Sequence, residues 1–139
     1  MQIQYNPLER EAEVDIMPYC RGNHIWVLSW GSLAEGFLAD GFSLNKLDPN
    51  DFRRTHRYGQ METHAKIQRI SEVISRIADQ KKCTMVSVVV AWELMNPRLT
   101  GAIIGIRNQK EALEMIGSTK LHLGKIEKGE IDSALPKSA

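Results

Sequence analysis

An excess of charge of either sign is missing from this sequence. Lys and Arg number 18 against 17 Asp and Glu, a formal net charge of +1, which supplies no electrostatic footprint for nucleic acid or an anionic membrane. Cysteine is scarce: Cys20 and Cys83 each fall in what reads as a helix or helix end, which suits a reduced intracellular pair better than a disulfide framework. No stretch approaches the ~20 apolar residues of a membrane span, and the N-terminus has no basic region leading into an apolar run. A soluble cytoplasmic protein is the expectation. Internal repeats and low-complexity segments are absent. His24, His56, His64 and His122 include no pair at metal-ligand spacing backed by a third donor, so they read as surface histidines. Neither a glycine-flanked serine nucleophile nor a Walker-type phosphate loop occurs, and the scattered glutamates define no acid–base carboxylate pair.

What is present is an ordinary globular composition, 42% hydrophobic and 25% charged over 139 residues, enough for one domain with a core that buries roughly 68% of its unfolded surface. "MQIQYNP" alternates Ile3 and Tyr5 against Gln2 and Gln4, predicting a strand from the first residue that Pro7 ends. From Glu9 an acidic run leads a helix carrying Val14, Met17 and Cys20, with Pro18 expected to kink or shorten its end and "RGN" stopping it. "IWVLSW", residues 25–30, is the continuous apolar run of a strand covered on both faces. Residues 39–60 show no sustained period and read as an unusually long loop. A helix from about Met61 to Lys82 places Ile67, Ile70, Ile74 and Ile77 on one stripe. Thr84 is a candidate N-cap for a further helix through Val88, Trp92 and Met95, in spite of the β-branched run there. "LTGAIIGI" reads as a third strand. Asn108 and Glu111 read as a capping box opening a helix that Gly117 closes, and a modest helix follows near the C-terminus. Strands that each lead to helix predict an α/β protein with a parallel sheet, its first two strands joined by a right-handed crossover.

Ligands of such folds sit at the C-terminal ends of the strands. The chain passes from Ile103 and Ile104 through Gly105 to Arg107 and a helix start. Its backbone N–H groups and positive helix end suit a phosphate that Arg107 can clamp, and the same residues equally make an ordinary capped turn. At the other strand end Trp30 can stack on a planar ring, with "GSLAEG" bringing backbone close to a ligand, or it can close one end of the core.

Taken together, "QIQYNPLEREAE", "IWVLSWGSLAEGFL", "DFRRTHRYG", "VVVAWELMNPRLTGAIIGIRNQKEALEMIG" and "EIDSAL" resemble an aldo-keto reductase, in the bacterial branch related to the β subunits of voltage-gated potassium channels. The resemblance implies a (β/α)8 TIM barrel that binds NADP(H), of which residues 1–139 match the part from the sixth strand to the C-terminus. It therefore implies a single partial-barrel domain of three parallel strands with helices, since such barrels run to about 250 residues. It assigns the nicotinamide amide to Gln2 and ring stacking to Trp30. A pyrophosphate loop, usually Ser-Pro-Leu, here runs Gly31, Ser32, Leu33, Ala34, Glu35, Gly36. Arg53 matches an arginine that reaches the cofactor, the turn from Gly105 to Arg107 resembles the site of the adenosine 2′-phosphate, and Glu114 matches an adenine contact.

The family's catalytic Asp, Tyr, Lys and His lie on its second to fourth strands and have no counterpart here, and Tyr5, Tyr19 and Tyr58 do not take that role. Three positions depart from the pattern. Gly41 replaces a lysine, Glu111 stands where glutamine or arginine is usual and would repel a 2′-phosphate if turned inward, and Met115 replaces an adenine-binding asparagine. Each change costs affinity on the order of a charged hydrogen bond, about 1.5–3 kcal/mol. The resemblance thus implies the NADP(H)-binding portion of a carbonyl reductase, with a non-catalytic remnant acting as an interaction module as the alternative. Bare strand edges and an uncovered barrel face predict a homo-oligomer or the binding of a complementary barrel half.

Overall fold

The computed structural model describes residues 1–135, with the backbone alone for Met61 and Glu62. Residues 136–139 of the expected domain lie outside the described residues. Three short parallel strands, β1 (Gln2–Gln4), β2 (Leu28–Trp30) and β3 (Gly101–Ala102), pair in the order β1-β2-β3. The register sets Gln2 against Leu28, Gln4 against Trp30 and Leu28 against Gly101. Parallel neighbours require long crossovers. The first contains α1 (Ile16–Gly22), and the second contains α2 (Met61–Lys81) and α3 (Met85–Leu94). Two further helices, α4 (Gln109–Ser118) and α5 (Lys125–Ala134), follow β3.

Because side chains alternate along a strand, the register divides the sheet into two unlike faces. Ile3 and Ser29 point into the helical layer and are buried. Gln2, Gln4, Leu28 and Trp30 share the opposite face, where Gln2 and Trp30 are exposed and the other two half-buried. One face of the sheet is therefore open.

The core lies on the helical side. The predicted stripe of α2 is buried in full, with Ile70, Ile74 and Ile77 at 0% exposure, and Lys82 ends the helix in the left-handed region at φ 54°. Thr84 caps α3 by accepting from the Ser87 N–H at 3.1 Å, while the Asp40 carboxylate takes the Met85 N–H at 3.0 Å. Every residue from Ser87 to Glu93 is buried, so α3 is enclosed on all sides. Burial of that kind overrides the strand preference of its valines.

Several element boundaries differ from expectation. The helix expected from Glu9 begins only at Ile16, after a short 3₁₀ turn at Glu11–Glu13, and Val14 is exposed. Asn6 is the reason: its Oδ1 accepts from the N–H groups of Leu8 and Glu9, diverting the backbone into a side-chain-closed turn. Pro18 consequently sits in the first turn of α1, where no intrahelical N–H is needed. The strand expected over residues 25–30 is laddered only from Leu28, leaving Trp26 78% exposed. The strand expected over residues 99–106 is confined to Gly101–Ala102 because β2 offers no longer partner. The loop at 39–60 holds 3₁₀ turns at Leu44–Lys46, Phe52–Arg54 and Arg57–Gly59. Gly117 lies inside α4, which ends one residue later.

Candidate functional site

Trp30 ends β2 level with Gln4, on the open face of the sheet, and is 41% exposed. The fully buried tryptophan of the helical side is Trp92, at 0%. The backbone around Trp30 is held firmly. Its carbonyl accepts from the Tyr5 N–H at 3.1 Å, and the buried Asn6 donates from Nδ2 to the Gly31 carbonyl at 2.8 Å.

The loop from Gly31 to Gly36 is tightly wound. Gly31 and Gly36 have φ of 71° and 89°, and Ala34 and Glu35 also occupy the left-handed region at 48° and 58°. Non-glycine residues there store strain of about 1–2 kcal/mol each, a feature concentrated at ligand-binding segments. A Cβ at Gly31 would lie 3.3 Å from Gln4 Cγ, so the first turn of the loop needs glycine for both conformation and space. The N–H groups of Ala34, Gly36, Phe37 and Leu38 close turns within the loop. Those of Ser32, Leu33 and Glu35 have no acceptor among the described residues. Successive free N–H groups in such a curl form a concavity suited to an anion.

Arg53 flanks this loop, its Nη1 lying 3.6 Å from where a Cβ on Gly36 would be. Asp51 fixes the guanidinium through contacts of 2.9 and 2.6 Å. The hydrogen bonds from Arg53 hold the Asp51 carboxyl down at about 2.

Beside Trp30, the end of β1 carries a network that sequence reasoning missed. Gln4 Nε2 donates to the Tyr58 hydroxyl at 3.2 Å, the Tyr58 hydroxyl donates to Glu9 at 2.9 Å, and Arg57 pairs with Glu9 at 2.9 Å. Burial, reinforced by Glu9, pushes the Tyr58 phenol up to about 12, so it remains a neutral donor. Gln2 lies on the same open face but one alternation toward the N-terminal end of β1, paired with Leu28.

Beyond β3 the second group of predicted residues is arranged differently. Asn108 Oδ1 caps α4 by accepting from the Glu111 N–H at 3.0 Å. Glu111 does not complete a capping box on Asn108. It reaches the Arg107 N–H at 2.8 Å and holds the Arg107 guanidinium at 2.8 Å, and these bonds lower its own carboxyl pKa. The glutamate thus occupies donors that a phosphate at this helix start would take. Glu114 lies one turn on, 4.0 Å from Lys110, and Gly105 leads into the same turn. Among the described residues no hydrogen bond or ion pair joins this cluster to the Trp30 loop.

Glu93 was also missed, although a carboxylate within the apolar run "VVVAWEL" was a legible signal. It is fully buried, and neither oxygen has a hydrogen-bond partner among the described residues. Loss of hydration pushes it up to about 7, against weaker opposing effects of the Ser29 and Ser32 hydroxyls that face it. His64 likewise has a buried, unpartnered Nδ1 in contrast to the expected surface position, and it lines a cleft of about 780 Å³ between α2 and residues 37–45. That cleft includes neither Trp30 nor any residue of the 31–36 loop. Among the described residues no group of three His, Cys, Asp or Glu side chains is placed to hold a metal, and no helix is long and apolar enough to cross a membrane.

Comparison with known proteins shows the family and the fold. The model of the aldo/keto reductase family matches residues 1–136. The oxidoreductase YrpG of Bacillus subtilis is 29% identical over 126 residues, covering 89% of this chain and 36% of that protein. Aldo-keto reductase AFTS1 of Alternaria alternata is 28% identical over 136 residues, again 36% of its length. The chain therefore spans little more than a third of these relatives. Among solved structures, glycerol dehydrogenase AKR11B4 from Gluconobacter oxydans superposes with a TM-score of 0.84 at 23% identity, over 96% of this chain and 41% of that one. The thermostable aldo-keto reductase Tm1743, in complex with the inhibitor epalrestat, superposes with a TM-score of 0.67 at 19% identity, over 38% of its chain. Both superpositions take in three parallel strands and their helices as a partial barrel, and with a family match running almost end to end, the chain belongs to the aldo/keto reductase family.

Proposed function

We propose that this chain forms the NADP(H)-binding C-terminal portion of an aldo-keto reductase that reduces aldehydes or ketones in the cytoplasm. The observation that carries the reading is the half-exposed indole of Trp30 at the C-terminal end of a parallel strand, followed at once by the curled Gly31–Gly36 loop. The residues present fit the cofactor. Trp30 offers a flat surface to a nicotinamide ring, and the free N–H groups of Ser32, Leu33 and Glu35 point to a pyrophosphate. Arg53 brings a cation to the edge of the loop. Gln2, on the same open face, is the candidate for the nicotinamide amide, and Gly105, Arg107 and Glu114 are candidates for the adenosine end. Glu111 competes there by holding Arg107.

When bound, NADPH supplies the hydride for carbonyl reduction. The residues of this chain hold the cofactor and orient its ring; proton donation to the carbonyl oxygen falls to residues outside the chain, which alone is inactive under this reading. Titration with NADPH should quench tryptophan fluorescence saturably, and Trp30→Ala should abolish the quenching while leaving far-UV circular dichroism unchanged. Absence of binding at millimolar NADPH would sink the reading.

A second reading is favoured by the open sheet face, where Leu28 and Trp30 lie between bare strand edges. Here the chain is a non-catalytic module that pairs through this face with a second copy or with a complementary barrel half. Exposed parallel edges of this kind associate readily. Sedimentation at micromolar concentration should show a dimer or larger species, and a strictly monomeric, non-aggregating chain would contradict it.

A further inference from the structure

The long connection between β2 and α2 is built from short 3₁₀ turns, yet its last part is pinned at one residue. The side chain of Tyr58 is buried, and its hydroxyl donates to Glu9 at 2.9 Å while accepting from Gln4 at 3.2 Å and from Arg57 at 3.3 Å. That uses the full bonding capacity of a phenol. Gln4 ends β1 and Glu9 follows soon after it, 54 and 49 residues from Tyr58 in sequence. The rings of Tyr58 and Phe37, the residue after Gly36, meet edge to face at a centroid distance of 5.6 Å.

Gly59 passes this anchorage on to Arg53. A Cβ at Gly59 would lie 2.5 Å from the Arg53 carbonyl oxygen and 3.2 Å from that of Arg54, both backbone atoms that no side-chain rotation can clear. The Gly59 N–H bonds the His56 carbonyl at 2.8 Å, and the His56 N–H bonds that of Phe52 at 3.0 Å. Residues 52–59 therefore form one compact unit held through Tyr58. From it the Arg53 guanidinium reaches the Phe42 ring at 5.8 Å, with Nη1 3.6 Å from the Cβ position of Gly36.

We infer that Tyr58 and Gly59 are positioning residues that set Arg53 beside the Gly31–Gly36 loop, where its charge serves an anion held by the loop N–H groups. The bonds of Arg53 itself do not suffice. Asp51, which grips the guanidinium, is tied to the same unit by accepting from the Arg54 N–H at 3.0 Å and moves with it. The placement of Arg53 stands on contacts within this chain; the effect on NADP(H) rests on the proposed function.

Limited trypsinolysis of the full chain tests the placement without cofactor, because cleavage after Arg53 or Arg54 requires the carbonyls packed against Gly59 to come free. Tyr58→Phe keeps the ring and removes the hydroxyl, whereas Gly59→Ala keeps the hydroxyl and adds the Cβ. Each should speed cleavage after these arginines at least about tenfold, with cleavage after Arg76 in α2 unchanged. Rates unchanged in both variants, or rising equally at Arg76, overturn the inference.

NADPH titration adds a readout that a merely structural role would not move. Arg53→Gln should weaken binding about tenfold or more, the loss of one charged hydrogen bond. Tyr58→Phe and Gly59→Ala should each weaken it at least about fivefold when Arg53 is present, and less than about twofold further in the Arg53→Gln background. Equal losses with and without Arg53 place the effect in the fold at large and overturn the inference. Faster cleavage in the variants with no NADPH binding by the wild type removes the cofactor reading and leaves the placement of Arg53 standing. Wild-type binding with cleavage and affinity unchanged in both variants removes the inference and leaves the cofactor reading.

Discussion

Trp92→Ala is expected to cost about 3–5 kcal/mol of folding stability, a large share of the 5–15 kcal/mol that holds a domain of this size together. Trp92 is the largest fully buried side chain, and three separate kinds of interaction converge on it. Its ring stacks on Tyr5 at a centroid distance of 5.3 Å and an interplanar angle of 18°. Arg10 and Lys128 approach the ring at 5.5 and 5.7 Å, and its Nε1 donates to Asp132 at 2.9 Å. Tyr5 follows β1 and Asp132 lies on α5, so the indole ties the strand edge and the last helix to α3. The polar groups around it are mutually satisfied: Arg10 pairs with Glu13 at 2.9 Å and with Asp132 at 3.1 Å. Truncation leaves a cavity and removes one hydrogen bond from Asp132, which keeps its pairs with Arg10 and Lys128. Trp92→Phe keeps the stack and loses the hydrogen bond, so it should cost less than half as much. Urea unfolding followed by circular dichroism measures both. A shift of less than about 1 kcal/mol in Trp92→Ala would show that the indole does not join these elements.

Much of the helical layer was legible because periodicity and caps are local. The isoleucine stripe of α2 repeats at helical spacing, and Thr84 announces α3 even though the valines after it favour strand. The strand limits were not legible. Ile25 and Trp26 carry the same apolar pattern as Leu28, but a ladder extends only where a neighbour offers backbone, and β1 begins at Gln2. The misread segment after Pro7 has a different cause: one buried asparagine, Asn6, takes two backbone N–H groups that a helix would have used. Side chains also shape the long connection, where Asp48, Asp51 and His56 accept from the backbone N–H groups of Asn50, Arg53 and Tyr58.

The candidate site divides in the same way. Trp30 and its loop stood out through the family resemblance, and the fold sets them together at the end of β2, on the open face of the sheet. Gln4, Asn6 and Tyr58 act through contacts spanning 25 to 54 residues in sequence, which no local pattern displays. Glu111 shows how a residue legible at a helix start can have a partner that is not legible. Its place near the helix start was anticipated, but its partner is Arg107, so the cation expected to await a phosphate is already engaged.

The second large effect is a fall in stability with rising pH, set by Glu93. A carboxyl with an ordinary value of 4.5 is pushed up to about 7 by burial without a counter-charge. Between those values the folded chain keeps a proton that the unfolded chain has lost, so the folded state binds more protons and stability declines as pH increases. The contribution is fully present below about pH 4.5 and gone above about pH 7, and its size for a shift of this order is about 3 kcal/mol. Asp51 and Glu111 shift the other way, downward, so their stabilisation is lost only as pH falls below the ordinary carboxylate range. The two groups of effects therefore separate on the pH axis. Glu93→Gln keeps the shape of the side chain and cannot ionise. Its unfolding free energy should match the wild type near pH 4.5 and exceed it by about 3 kcal/mol near pH 8. Parallel curves for the two proteins across that interval would mean that Glu93 is ionised in the folded chain at no cost, which contradicts its full burial.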